Sequence, residues 1–347
     1  QAEDGIRDVE RSRGLGDVYK RQVYIPACHM IWGGGYLADV KDFAGGLVVH
    51  LTCGVGALVI AIMLGPRKGF PTTAMPPHNR TMVVTGAALL WVGWFGFNAG
   101  SSWAADGLAG MAMLVTHISA ATGALTWMAI EWIKGGKPTI VGIATGMVAG
   151  LATITPAAGS VGPEGSILIG LMAGSICFYA TQAVKGVMGV DDPLDVFPVH
   201  GVGGIIGIIM VSFLGVQGGF LGSSAGEDWV PMEQFMIQLK GIAVIGAWTA
   251  VASWAILKLI GSFTPLRVTE EEEYEGLDVV EFNASFNKVN EVQWLSKLTD
   301  CEIERVDIAA DSRWASEYKI VVVPTLVVFN NNEEAKRFQA CLLNKSP

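Results

Sequence analysis

Residues 42–65 read DFAGGLVVHLTCGVGALVIAIMLG, and residues 195–215 read DVFPVHGVGGIIGIIMVSFLG. Each stretch opens on an aspartate, carries one histidine (His50, His200), places a glycine four residues after it and closes on Leu-Gly. Beyond the opening aspartate neither holds a residue of the Asp, Glu, Lys or Arg type. At ~1.5 Å rise per residue, about 20 apolar residues span the ~30 Å hydrocarbon core of a bilayer. Both stretches therefore read as membrane-spanning helices with one polar side chain near the start. A buried helix of a soluble protein would need a polar face, and these have none.

Working outward, five more segments share this character. The expected spans are 43–64, 82–105, 107–130, 138–162, 165–184, 196–221 and 241–263. Composition agrees: 51% of the 347 residues are hydrophobic and 16% charged, with a mean hydropathy of +0.44. An ordinary soluble domain carries about 25% charged residues. Only 17 charged residues fall between Phe43 and Pro265, against 38 in the two ends. The histidine spans are first and sixth, so they run in opposite senses, as in an inverted-topology repeat with its site at the midplane. Basic residues Arg67, Lys68, Arg80, Lys134, Lys137, Lys185 and Arg267 fall on alternate loops, which predicts a cytoplasmic C-terminus. Trp91, Trp103, Trp127, Trp132 and Trp229 are expected near span ends, as an interfacial belt.

Several classes are excluded. Net charge is −9 without a basic run, so nucleic acid is not a partner. The five cysteines form no C-x-x-C and no metal-ligand spacing, and no cofactor or metal is expected. Residues 1–22 have no apolar core of a signal peptide and resemble a translated adapter scar.

An ionisable residue inside a span is costly and marks a candidate site. His50 and His200 are the related pair; two imidazoles can alternate as donor and acceptor, although two packed, hydrogen-bonded histidines would satisfy the same spacing. His117 lacks a counterpart and reads as a packing or interhelical residue. Asp42 and Asp195 both stand where a helix N-cap would, the role read for Asp195, and Asp42 could also supply local negative potential near a cation entry site.

IPACHMIWGGG, DFAGGLVVH, GWFGFNAGS, TPAAGSVGPEGSILIG, DDPLDVFPVHGVGGIIG and LRVTEEEEYEGLD occur in order across residues 23–278. Together they resemble the ammonium transporter (Amt/Mep/Rh) family. The resemblance implies an all-α polytopic membrane fold of eleven spans, seven of them here, in a trimer with one hydrophobic pore per subunit. It implies that His50 and His200 are the pore's twin histidines. Phe97 matches one of two stacked gate phenylalanines; Trp32, Ser101 and Asp42 match the external ammonium recruitment site. The absent spans would carry the other gate residue, so the chain is expected to be an N-terminally truncated transporter. The acidic tail at 266–278 lies where the family contacts a PII-type regulator, which leaves an ammonium sensor or docking protein as an alternative function to transport.

From residue 279 the composition changes to that of a soluble α/β unit. DVVEF, CEIERVDI, LVVF and KRFQACL read as strands, with helices at 288–298 and 312–318. This segment, 279–347, resembles a partial thioredoxin fold. FNASFNKVNE lies where the redox motif would fall, with Asn287 and Asn290 in place of its cysteines, and Pro324 matches the cis-proline. Without a thiolate no dithiol exchange is expected, leaving an interaction module.

Overall fold

The computed structural model describes residues 20–73, 75–77, 79–215, 230–267, 278–283, 303–307, 325–330 and 333–339. The chain divides into two compact units, residues 1–264 and 265–347.

The first unit is helical. A short helix, α1 (Ile25–Trp32), follows a π-helical turn at Lys20–Tyr24. Among the described residues, seven further helices are long and apolar enough to cross a membrane: α2 (Gly46–Leu64), α3 (Arg80–Gly100), α4 (Gly107–Gly135), α5 (Ile140–Ala157), α6 (Pro163–Val187), α7 (Phe197–Leu214) and α8 (Pro231–Gly261). All seven expected spans are present, with shifted ends. The largest shift is in α8, which starts ten residues before the expected Gly241 and runs on through the polar residues Glu233, Gln234, Gln238 and Lys240. The ends have local causes. Asn79, Asp106 and Thr139 accept N–H bonds from Met82, Ala109 and Gly142 and so cap α3, α4 and α5.

α5 and α7 are the most buried of the seven. Glycine sets how closely they pack. Gly123 of α4 lies against the backbone of Gly146 and Gly150 of α5, and the Ser119 hydroxyl donates to the Gly150 carbonyl at 2.9 Å. Conversely, large apolar side chains face outward on α3 and α8, including Leu89, Val92, Val251 and Leu259. That is the surface a bilayer solvates. The tryptophan belt is only partly as expected. Trp103 and Trp132 are exposed, but Trp91 lies mid-way along α3, and Trp127 is buried edge-on against Phe178. Trp229 lies outside the described residues.

In the second unit, β1 (Asp278–Asn283), β2 (Ile303–Asp307), β3 (Thr325–Asn330) and β4 (Glu333–Gln339) form one sheet ordered β2-β1-β3-β4. β1 pairs parallel with β2 and antiparallel with β3, and β4 is antiparallel to β3. A parallel pair needs a crossover connection, whereas the antiparallel β3 and β4 follow one another closely in sequence. Val327 is buried and Arg305 exposed. The helices expected at 288–298 and 312–318, and Asn287, Asn290 and Pro324, lie outside the described residues, as does the acidic run 270–275.

Candidate functional site: a histidine pair between two crossing helices

The two quoted stretches meet. α2 and α7 cross where Gly54 faces the backbone of Gly201, and Gly204 faces the Gly46 carbonyl and the Cβ of His50. The glycine four residues after each histidine is therefore a crossing-point residue. Any side chain there would hold the helices apart.

Both histidines sit in π-helical turns at the start of their spans, Gly46–Leu51 and Phe197–Gly201. A π-turn widens the helix by one residue per turn, and such turns recur at functional sites. In α2 the N–H of His50 donates to the Gly45 carbonyl at 2.9 Å, five residues back. In α7 the N–H of Val202 reaches the Phe197 carbonyl in the same way.

Each turn is capped by a carboxylate. Asp42 is buried and accepts from the N–H groups of Gly45, Gly46, Leu47 and Val48 at 2.5–3.2 Å. Both its oxygens are thus spent on backbone. The structure thus gives Asp42 a capping role. At α7 the expectation for Asp195 is corrected. The N–H of Phe197 donates to Asp192 Oδ2 at 2.8 Å, while the Asp195 carboxylate pairs with Lys185 Nζ at 2.7 Å. Asp195 has a left-handed backbone (φ 53°) at the bend into the helix. Burial pushes the Asp195 carboxyl up, and the hydrogen bond from Lys185 opposes it.

At the crossing, His50 Nδ1 and His200 Nδ1 are 3.1 Å apart, with ring centroids 5.2 Å apart. His50 is buried; on its other side Trp94 stacks at 5.4 Å and 7°. Thr155 Oγ1 lies 3.2 Å from His50 Nε2 and accepts from Trp94 Nε1 at 3.0 Å. Phe97 is tilted against His50 at 6.0 Å and against Trp94 at 5.5 Å.

The remaining expected residues are placed as follows. Trp32 is half-exposed at the end of α1, its indole N–H donating to the Asp42 carbonyl at 2.7 Å. Ser101 lies one turn past Phe97, its hydroxyl donating to the Phe97 carbonyl at 2.8 Å. His117 is exposed and touches the rings of Trp91 and Phe95 of α3. Trp94 and Thr155 were not singled out in the sequence. Trp94 could have been, since it precedes Phe97 by three residues and shares its helix face. Thr155 carries no comparable signal beyond being a hydroxyl in an apolar span.

The loop before α2 is fixed by Gln238 of α8, which is fully buried. Its amide oxygen accepts from the Lys41 N–H and from Gln234 Nε2, and its NH2 donates to the carbonyls of Lys41 and Ile208. All four bonding positions are used. At the other end of α2, the Arg67 side chain and N–H hold Asp191 through three bonds of 2.8–2.9 Å. The Arg67 hydrogen bond holds the Asp191 carboxyl below the usual carboxylate range. Among the described residues, no group of three or more His, Cys, Asp or Glu could hold a metal ion.

Fold and site together define a multi-pass α-helical membrane protein whose polar centre is a hydrogen-bonded histidine pair. Residues 16–286 match the Ammonium Transporter Family. The chain belongs to that family. It is 43% identical over 262 residues to the ammonium transporter of Bacillus subtilis, covering 74% of this chain and 64% of that one. Among solved structures it resembles Saccharomyces cerevisiae Mep2 (TM-score 0.66, 37% identity, 73% of this chain and 60% of the other). It also resembles a sensor Amt protein (TM-score 0.66, 31% identity, 72% and 64%). The chain thus spans less than two thirds of the length of each of these relatives.

Proposed function

We propose that the protein to which this chain belongs moves ammonium or ammonia across a membrane through an apolar pore lined by His50 and His200. The observation that carries this reading is the 3.1 Å contact between the two imidazoles at a glycine crossing of two spans. A pair of linked imidazoles offers donor and acceptor to a small polar hydride where water is scarce, and a bare cation there would be heavily penalised. Ammonium arriving at the outer rim would be held by a cation–π contact to Trp32, worth ~0.5–2 kcal/mol, with the Ser101 hydroxyl replacing a lost water. Phe97, packed against His50, would act as the gate. Asp42 contributes indirectly, by shaping the turn that carries His50. The pattern of basic loops supports a cytoplasmic C-terminus, and family membership supports a homotrimer.

Radiolabelled methylammonium uptake in cells lacking their own transporters tests the reading. Uptake is expected with the unchanged histidines and its loss, by tenfold or more, in His50→Ala and His200→Ala. Normal uptake by a well-expressed double variant would sink it.

A second reading, an ammonium sensor or a membrane protein docking a PII-type regulator, is favoured by the similarity to the sensor Amt protein and by the acidic run at 270–275. It predicts ammonium-dependent binding of a soluble partner without measurable uptake. For the second unit we propose a thioredoxin-like interaction module. The sheet order and its one parallel pair support that reading. Insulin reduction by the chain would count against its lack of redox activity.

A further inference from the structure

The hydrogen bonds around Thr155 have a consequence for the protons of the histidine pair. A threonine hydroxyl has one proton to give and two lone pairs to receive with. Thr155 gives its proton to the Leu151 carbonyl at 2.8 Å, and a carbonyl can only accept. Trp94 Nε1 is donor-only, so it occupies one Thr155 lone pair. What remains toward His50 Nε2, at 3.2 Å, is the second lone pair. With the hydroxyl directed at Leu151, His50 Nε2 is the donor of this contact and carries a proton. In a neutral imidazole the other nitrogen is then bare, so His50 Nδ1 is an acceptor. Across the 3.1 Å contact His200 Nδ1 has to be the donor. That leaves His200 Nε2 bare, and no group among the described residues hydrogen-bonds to it.

We infer that Thr155 fixes the tautomers of the pair, with His50 protonated on Nε2 and His200 on Nδ1, so that His200 Nε2 is the pair's one open acceptor. The inference deepens the transport reading and rests on it for its consequence: a substrate N–H would be met by His200, not by both rings alike. The pair is also one-ended. A proton taken up at His200 Nε2 can release the Nδ1 proton to His50 Nδ1. Beyond His50 Nε2–H stands only a hydroxyl whose own proton is held by a carbonyl. Thr155 is thus a positioning residue. Trp94, stacked on His50 and bonded to the same oxygen, holds the ring plane that the arrangement needs.

The test is 15N nuclear magnetic resonance of the full chain, labelled at histidine and reconstituted in lipid, at a pH where both rings are neutral. His50→Asn and His200→Asn spectra supply the assignments. One ring protonated on Nε2 and assigned to His50, and one on the rarer Nδ1 and assigned to His200, is the expected result. His50 protonated on Nδ1 would overturn the inference. Thr155→Val, which keeps the shape and removes the hydroxyl, should lower the tautomer ratio at His50 by about tenfold, equivalent to about 1.4 kcal/mol for one lost hydrogen bond. Thr155→Ser should restore it, and an unchanged ratio in Thr155→Val would also overturn the inference. If the valine variant does not fold, the unsubstituted spectrum still decides. Uptake separates the two readings: a His200→Ala chain that still transports would refute the pore and leave the tautomers untouched. A wrong tautomer would leave the pore standing.

Discussion

The histidine pair exists because two helices approach to backbone contact, and Gly54→Ala tests that approach directly. A Cβ on Gly54 would sit against Gly201 N and Cα, well inside the 3.0 Å that real Cβ atoms essentially never breach. The obstructing atoms are backbone, so no side chain can swing aside. α2 and α7 would have to part by several tenths of an ångström to reach ordinary contact, and the His50–His200 bond would lengthen with them. Overpacking of this kind costs ~1–3 kcal/mol, and a rigid backbone contact belongs at the top of that range. Alanine regains up to about 1 kcal/mol of helix propensity, so a net loss of about 1–2 kcal/mol is expected. At ~2–4 °C per kcal/mol this lowers the melting temperature by several degrees. Gly86→Ala is the control, because Gly86 lies on an exposed face of α3 with nothing within 4 Å of the new methyl. Thermal unfolding in detergent, followed by size-exclusion chromatography, should separate the two variants, and methylammonium uptake should fall only for Gly54→Ala. Coincident melting curves for both would refute the close crossing.

Three more outcomes are expected. Gln238→Leu leaves the Lys41 N–H and two carbonyls without their partner in a buried position, at about 1–3 kcal/mol for the group left unsatisfied, and a melting curve shifted by several degrees would show it. Asp42→Ala removes the acceptor of four N–H groups and should cost about 0.5–2 kcal/mol or more, with Asp42→Asn losing less; uptake should fall in proportion to stability if Asp42 acts only as a cap. Asp191 is held below its usual range by Arg67, so its ion pair adds stability that is complete above about pH 4 and fades as pH falls through the depressed value. The stability gap between the unchanged chain and Asp191→Asn, measured by melts from neutral to acid pH, should therefore be widest near neutrality and close in acid.

Hydropathy alone located the spans, because a bilayer demands about 20 apolar residues in a row and water does not. Their ends were less legible, since a helix continues past its apolar stretch wherever a cap or a polar residue allows it. α8 starting at Pro231 is the clearest case. Asp195 shows a different limit: three aspartates, Asp191, Asp192 and Asp195, precede α7 within six residues, and only their long-range partners decide that Asp192 takes the Phe197 N–H while Asp191 pairs with Arg67 and Asp195 with Lys185. The strands of the second unit were readable because alternating and β-branched runs bounded by polar turns leave few alternatives.

What the sequence determined by itself is the pair of echoing spans, each with a histidine and a glycine one turn later, because apolarity and spacing are local properties. The tertiary structure decided what those residues do. It brought residues 150 apart to 3.1 Å, made Gly54 and Gly204 crossing-point residues, spent Asp42 on backbone, and added Trp94 and Thr155 to the site. Those assignments follow from which atoms meet across helices. Long-range contact of that kind is a property of packing, which no local pattern encodes.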